Sequence, residues 1–274
     1  MTSLRTFIKD WIPPIALNAV RQMRGGGIVF EGDYLNWEEA AAKCSGYDAE
    51  NILAKVLAAT LKVKNGEAAF ERDSVLFDKI EYAWPVLSGL MWAASRNSGV
   101  LNVLDFGGAL GSSYFQNRKF LKDLPEVRWN VVEQAHYVEA GQKHIQDKHL
   151  RFYPTIDACL EENQPNVVLL SSVLQYLLCP EEIIHRISRI GANCLIIDRT
   201  PFCDAQEDKL LIQHVPSSIY KASYPMWIFS KHKFLHVVKD EWITIASNLS
   251  PEGHVCSATG IEFSFEGFLL EAYR

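Results

Sequence analysis

An α/β fold, built on a parallel sheet and closed by an antiparallel pair of strands, is predicted by three features of the chain. The first is the run Val103-Leu-Asp-Phe-Gly-Gly-Ala-Leu-Gly-Ser-Ser113, where apolar residues end in Asp105 and the glycines Gly107, Gly108 and Gly111 follow. This reads as a buried strand turning sharply into a helix. The glycines permit the turn and leave room for a ligand against the backbone, and the helix start offers it unpaired N–H groups. The second feature is alternation: from Val100 to Asp198 short apolar runs take turns with helical stretches, the mark of βαβ units. The third is the C-terminus, where Trp242–Ala246 and Phe263–Tyr273 read as strands with no helix between them, so they pair antiparallel. Together these give a layout of five parallel strands plus a hairpin, with a ligand at the carboxyl ends of the first strands.

Taken in order, residues 1–98 are expected to form a helical cap region and residues 99–274 the α/β domain. Leu4–Arg24 mixes apolar residues (Phe7, Trp11, Ile15) with Arg5, Lys9, Arg21 and Arg24. A peripheral membrane helix is one reading. Pro13-Pro14 breaks the helix and favours an arm packed on its own protein. Arg24-Gly-Gly-Gly27 is a joint and not a phosphate loop, since no strand precedes it and no GK[ST] follows. Asn36 caps a helix over Trp37–Lys43 that Gly46 ends, and Ala49–Lys64 forms a second helix. A third is expected from about Asp73, because Leu76, Ile80, Ala83, Trp84, Leu87, Leu90, Met91 and Ala94 fall at spacings of three and four. Pro85 should kink it and Asn97-Ser98-Gly99 end it.

The parallel strands are predicted at Leu101–Phe106, Val127–Glu133, Leu150–Tyr153, Val167–Ser171 and Cys194–Asp198. The helices fall near Ser112–Leu121, Tyr137–Asp147, Ile156–Glu161 and Glu181–Ile190. An irregular stretch then leads to a helix at Lys231–Lys239, and Gly260 and Gly267 are candidate bulges in the final strands.

Composition narrows the function. The chain has 274 residues, 48% hydrophobic and 22% charged, with a net charge of −6. That is ordinary for a globular protein and gives no basic footprint for nucleic acid. Six scattered cysteines without a CxxC pair argue for reduced thiols and against structural zinc. No apolar run approaches the roughly 18 residues of a membrane span, and Lys9, Asp10 and two prolines interrupt anything like a signal peptide. A cytoplasmic location follows as the expectation.

The glycine pattern decides the nucleotide. A dinucleotide fingerprint needs G-x-G-x-x-G, whereas the chain has Asp105-x-Gly107-x-Ala109-x-Gly111. A carboxylate beside the ligand repels a pyrophosphate and suits a cation such as an amino-acid ammonium. Glu133 closes the second strand 22 residues past Gly111 (133 − 111), where a carboxylate accepts both hydroxyls of a ribose. A nucleoside joined to an amino acid fits both, and S-adenosyl-L-methionine is the common molecule of that description.

The runs VLDFGGALG and WNVVEQ resemble motifs I and II of class I S-adenosylmethionine-dependent methyltransferases. Nearly the whole chain is similar to a methyltransferase family often found with bacterial surface-polysaccharide genes. That likeness is carried by Gly46-Tyr-Asp48, Glu71-Arg-Asp-Ser-Val-Leu-Phe77, Leu104-Asp-Phe-Gly-Gly108, Gly111-Ser-Ser-Tyr-Phe115, Asp198-Arg-Thr-Pro-Phe202 and Tyr224-Pro-Met-Trp-Ile-Phe-Ser230. The resemblance implies a Rossmann-like class I methyltransferase fold, with Asp105, Gly107, Gly108, Ala109, Gly111, Glu133 and Gln134 against the cofactor. Ala109 departs from the usual glycine, although its methyl is small.

The resemblance also places the strand-end run Ser171-Ser-Val-Leu-Gln-Tyr176 nearest the transferred methyl, with Ser171 a cofactor contact. No Asn/Asp-Pro-Pro-Tyr occurs there, which speaks against adenine or glutamine amino-group methylation. No acid stands at Ser171 to hold a metal. For a hydroxyl acceptor a general base helps. His214, in the irregular stretch, is the first candidate, against a structural or surface histidine; Asp198 is the second. Arg199 either binds an anionic acceptor or pairs with Asp198. Arg72 either reaches the cofactor's carboxylate or pairs with Glu71, Asp73 or a neighbouring helix. Tyr224, Trp227 and Phe229 either stack on a sugar or aromatic acceptor or pack in the core.

The leading expectation is methyl transfer to a small-molecule or glycan-precursor acceptor, most simply metal-independent O-methylation. A catalytically silent binding protein of a polysaccharide-assembly pathway is the main alternative. A nicotinamide-dependent oxidoreductase or epimerase lacks the glycine spacing and a Tyr-x-x-x-Lys pair.

Overall fold

The structure, a computed structural model, describes residues 27–44, 49–72, 74–216 and 222–273. Expectations for Leu4–Arg24, Gly46–Asp48 and Asp73 fall outside these residues. Five buried apolar runs form the parallel centre: β4 (Val100–Phe106), β5 (Glu126–Val132), β6 (Leu150–Tyr153), β7 (Val167–Ser171) and β8 (Cys194–Cys203). Their spatial order is β6-β5-β4-β7-β8, all parallel. β12 (Glu262–Ala272) adds antiparallel to β8, and β11 (Trp242–Cys256) adds antiparallel to β12. This is the predicted α/β layout.

Strand alternation sorts the side chains into two cores. On one face Val103, Trp129, Val131, Val167, Leu169 and Ile196 pack against α2 (Ala49–Lys64), α3 (Trp84–Arg96), α4 (Ser112–Leu121) and α5 (Ala135–Ala140). On the other, Leu104, Val168, Leu170, Leu195 and Ile197 pack against α6 (Ile156–Glu162), α7 (Pro180–Ser188) and α8 (Lys231–Val238). A three-layer sandwich results. No helix among the described residues is long and apolar enough to cross a membrane.

The structure corrects the expectation for residues 73–99. Phe70–Arg72 (β2) and Val75–Phe77 (β3) form an antiparallel hairpin, with Phe70 stacked on Phe77 at 5.8 Å and Ser74 left-handed at φ 67°. Leu76 is exposed, so it belongs to no buried helical face. α3 starts only at Trp84. Pro85 lies in its first turn, where the missing N–H costs nothing, and therefore starts the helix instead of kinking it. Asn36 caps α1 (Trp37–Lys43) by accepting from the Glu39 N–H at 2.9 Å, as the sequence predicts.

Three further differences concern the second half. The helix expected over Tyr137–Asp147 is α5 followed by a π turn, Gly141–Ile145; Gly141 lies against the Phe152 ring, where a Cβ would clash at 2.6 Å. The stretch expected to be irregular before Lys231 holds β9 (Lys209–Val215) and β10 (Ala222–Ser230), which pair antiparallel. Val29–Glu31 (β1) pairs with β9, so the region before residue 99 is not wholly helical. Gly267 does sit at a register shift between β12 and β8, whereas Gly260 (φ 82°) serves the turn from Ser257 to Ile261.

Candidate active site

Register brings four polar groups together. Val103 pairs with Trp129 and Val167, and Ser171 pairs with Asp198. Counting by twos along each strand then puts Asp105, Glu133, Ser171 and Asp198 on one face at the carboxyl ends of four adjacent strands. The glycine turn runs between the first two.

Asp105 is buried and accepts a hydrogen bond from Trp129 Nε1 at 2.9 Å. Burial pushes its carboxyl up to about 7; the Trp129 bond opposes this and the charge of Glu133 adds to it. Gly108 lies directly on that carboxylate, and a Cβ there would collide with its oxygens. Gly107 (φ 72°) faces Val173 in the same manner, and Gly111 (φ 87°) faces Leu150 Cδ2 at 2.9 Å from a built Cβ. These positions require glycine. Ala109 also adopts a left-handed backbone, φ 49°, which is why a glycine is usual there. Its N–H donates to Glu133.

Glu133 also accepts from the Gln134 N–H at 2.6 Å, through a carboxyl that burial holds above its usual range despite those bonds. Gln134 itself is exposed and contributes through its backbone. His136, beside Glu133, carries a buried Nε2 with no hydrogen-bond partner. That orphan atom, the crowded glycine cradle and two carboxyls held above their usual range all fit a ligand with a cationic group, a diol and a nitrogen-bearing ring.

The second pair of strand ends forms a tight network. Ser171 Oγ donates to Asp198 Oδ2 at 2.8 Å, and Arg199 reaches Asp198 Oδ2 with Nε at 3.3 Å and Ser171 Oγ with Nη2 at 3.3 Å. Asp198 is thus held by two donors, Ser171 and Arg199, and Arg199 pairs with it. Ser172 (φ 55°) and Arg199 (φ 48°) are left-handed non-glycine residues side by side, a strain typical of functional edges. Gln175, fully buried, donates to Ser172 Oγ at 3.1 Å and to the Arg199 carbonyl at 3.3 Å, while its Oε1 has no partner. Tyr176 donates to Gln213 Oε1 at 3.0 Å, Gln213 donates to Tyr224 at 3.3 Å, and the two tyrosine rings meet edge to face at 5.1 Å.

His214 does not join this group. It lies on β9, one residue from Gln213, so its ring points to the other face, with Leu210 and Ile212 and towards α1. Its Nε2 meets Glu31 Oε1 at 2.8 Å. The expectation that His214 serves as base is corrected on that geometry. Arg72 faces Glu252 Oε1 at 3.9 Å and lies over Phe70, not against Glu71. Its neighbour Glu71, which sequence reasoning passed over, is buried and accepts from Ser112 Oγ at the start of α4 and from the Ser74 N–H at 3.3 Å. The hairpin thereby spans the carboxyl edge, tied to the glycine turn on one side and facing β11 on the other. His136, Gln175, Gln213 and Glu71 come from distant parts of the chain; Gln175 lies in the singled-out run Ser171–Tyr176 and Glu71 in the segment Glu71–Phe77, but no local motif marks His136 or Gln213.

No family model and no curated protein matches this chain. Solved structures similar to it include the N-terminal domain of EvdMO1 in the presence of SAH and D-fucose, at 9% identity and TM-score 0.48, covering 83% of this chain and 98% of that one. A S-adenosylmethionine-dependent methyltransferase from Clostridium acetobutylicum is similar at 9% identity and TM-score 0.45, over 70% and 92% of the two chains. CalS10, an amino pentose methyltransferase from Micromonospora echinaspora, is similar at 11% identity and TM-score 0.40, over 70% and 92%.

Proposed function

We propose that this chain binds S-adenosyl-L-methionine and transfers its methyl group to a small, sugar-containing acceptor at a hydroxyl. One observation carries the cofactor assignment: Asp105 and Glu133 close neighbouring strands on the same face, flank the glycine turn, and are both destabilised as anions by burial. A cationic ligand relieves that cost. In this reading Asp105 holds the ammonium, Glu133 the ribose diol, His136 the base edge, and the Gly107–Gly111 backbone lies against the amino-acid portion. The bound cofactor supplies an electrophilic methyl on a sulfonium.

The chain's own residues supply position and dryness, which carry most of an in-line displacement. Ser171, Asp198 and Arg199 fix the floor beside the methyl position. Gln175 Oε1 is a buried acceptor that an acceptor hydroxyl would satisfy, and the Tyr176–Gln213–Tyr224 chain offers ring faces and amides to a sugar. Ser171 stands where a metal-dependent enzyme would have an acid, which favours metal-independent transfer. An acceptor from surface-polysaccharide synthesis is what the sequence resemblance implies.

Turnover tests the reading. Incubation with S-adenosylmethionine and nucleotide-sugars should give S-adenosylhomocysteine, and Gln175→Leu should lower the rate by about tenfold by stranding the acceptor hydroxyl. His214→Ala should leave the rate unchanged. Cofactor binding without turnover on any such acceptor would favour a silent binding protein.

A further inference from the structure

A separate cavity of about 340 Å³ opens between the 3₁₀ turn Leu174–Tyr176, α7, β10 and α8. It lies on the sheet face opposite Asp105 and Glu133. Its floor is Leu174, Ile184, Trp227, Phe229, Phe234 and Val237. Trp227 is fixed there, because its Nε1 donates to the Leu177 carbonyl at 3.1 Å and Trp37 packs against it at 6.1 Å. The floor therefore offers a rigid aromatic surface of a volume in the range of small-molecule pockets.

The mouth is charged, and the balance is negative. Glu181, Glu182 and Asp208 line it with the single cation Lys233. Lys233 is already committed, with Asp208 Oδ2 at 2.9 Å and Glu181 Oε1 at 3.5 Å from its Nζ. Asp208 is held further by the Ser230 N–H at 2.7 Å. The first turn of α7 faces the same mouth and by itself would draw an anion, but its own Glu181 and Glu182 outweigh the half charge of a helix end. With three carboxylates against one lysine the mouth repels an anionic ligand, and a cation finds Glu182 outside the Lys233 pairs, with the remaining negative charge of Glu181 and Asp208 beside it.

We propose that this cavity is a second ligand site, taking an aromatic group that carries a cationic amine, with the ring on the apolar floor and the ammonium among Glu181, Glu182 and Asp208. Its position, three residues beyond Ser171 along the chain, sets it beside the carboxyl edge but outside the cofactor cradle. The assignment stands whether or not methyl transfer is the activity.

Cys179 lines the mouth and is exposed, which makes it a reporter; Cys256, exposed on β11 away from the cavity, is its internal control. Alkylation of the full-length protein followed by mass spectrometry, with tryptamine and its carboxylate counterpart indole-3-propionate as probes, tests the site. Tryptamine should slow alkylation of Cys179 about fivefold at saturation and leave Cys256 unaffected, while indole-3-propionate protects neither. Glu182→Lys, an exposed change, should weaken tryptamine protection about fivefold, and Val237→Trp should abolish it by filling the floor. Equal protection by both probes, no protection by tryptamine, or wild-type protection in Glu182→Lys would overturn the proposal.

Discussion

Asp105 is buried beneath Gly108, and burial outweighs the Trp129 hydrogen bond in setting its carboxyl at about 7, against an ordinary 3.8. The folded protein therefore keeps this proton when the unfolded chain has lost it. Below pH 3.8 both states are protonated and the cost is absent. It grows as pH rises to about 7 and is complete above that, at on the order of 4 kcal/mol. Asp105→Asn keeps an acceptor for Trp129 and removes the charge. It should raise the stability of the ligand-free protein by a few kcal/mol at pH 8 and change it little at pH 4, as read by urea unfolding at the two pH values. Ala109 gives a second prediction, since left-handed strain of roughly 1–2 kcal/mol exceeds the roughly 0.4–1 kcal/mol of added chain entropy in a glycine variant. Ala109→Gly should therefore raise the melting temperature slightly.

Among the elements, the β2–β3 hairpin has the least local signal and a central place. Its anchor is Glu71, buried and bonded to Ser112 and Ser74, while Arg72 only approaches Glu252 at 3.9 Å from a half-exposed position. Glu71→Ala should cost about 2 kcal/mol by removing a buried acceptor from two half-buried donors, and Arg72→Ala under about 1 kcal/mol; chemical denaturation separates the two. The hairpin hides in the sequence because Leu76, Ile80 and Ala83 continue the helical spacing of α3 by coincidence, and only Pro85 signals where the helix begins. β9 and β10 were hidden for another reason. They are an insertion between β8 and α8 that follows no alternation of strand and helix. By contrast β6, β7, α2 and α4 are legible to the residue, since each is bounded by a cap, a glycine or an abrupt change in polarity.

At the scale of the molecule, the three-layer sandwich follows from five continuous apolar runs that must be covered on both faces. The part of the carboxyl edge proposed to hold the cofactor stands out in the sequence because it lies within one short run, Asp105–Gly111, plus the acid at the next strand end. Glu71, His136 and Gln213 stand out less, because register and crossover bring them to this edge from separate elements. That difference also explains why His214 misled: its type suits a base, but one step of strand alternation turns it towards Glu31.

Calorimetric titration of S-adenosylmethionine tests most directly whether Asp105 and Glu133 receive a cationic nucleoside. Between pH 5.5 and 7.5 the ligand's ammonium stays largely charged while Asp105 ionises, so affinity should rise about tenfold. The rise should vanish in Asp105→Asn, and Glu133→Ala should weaken binding throughout. NAD should show no binding. Affinity that is flat with pH, or unchanged in both variants, would contradict the account.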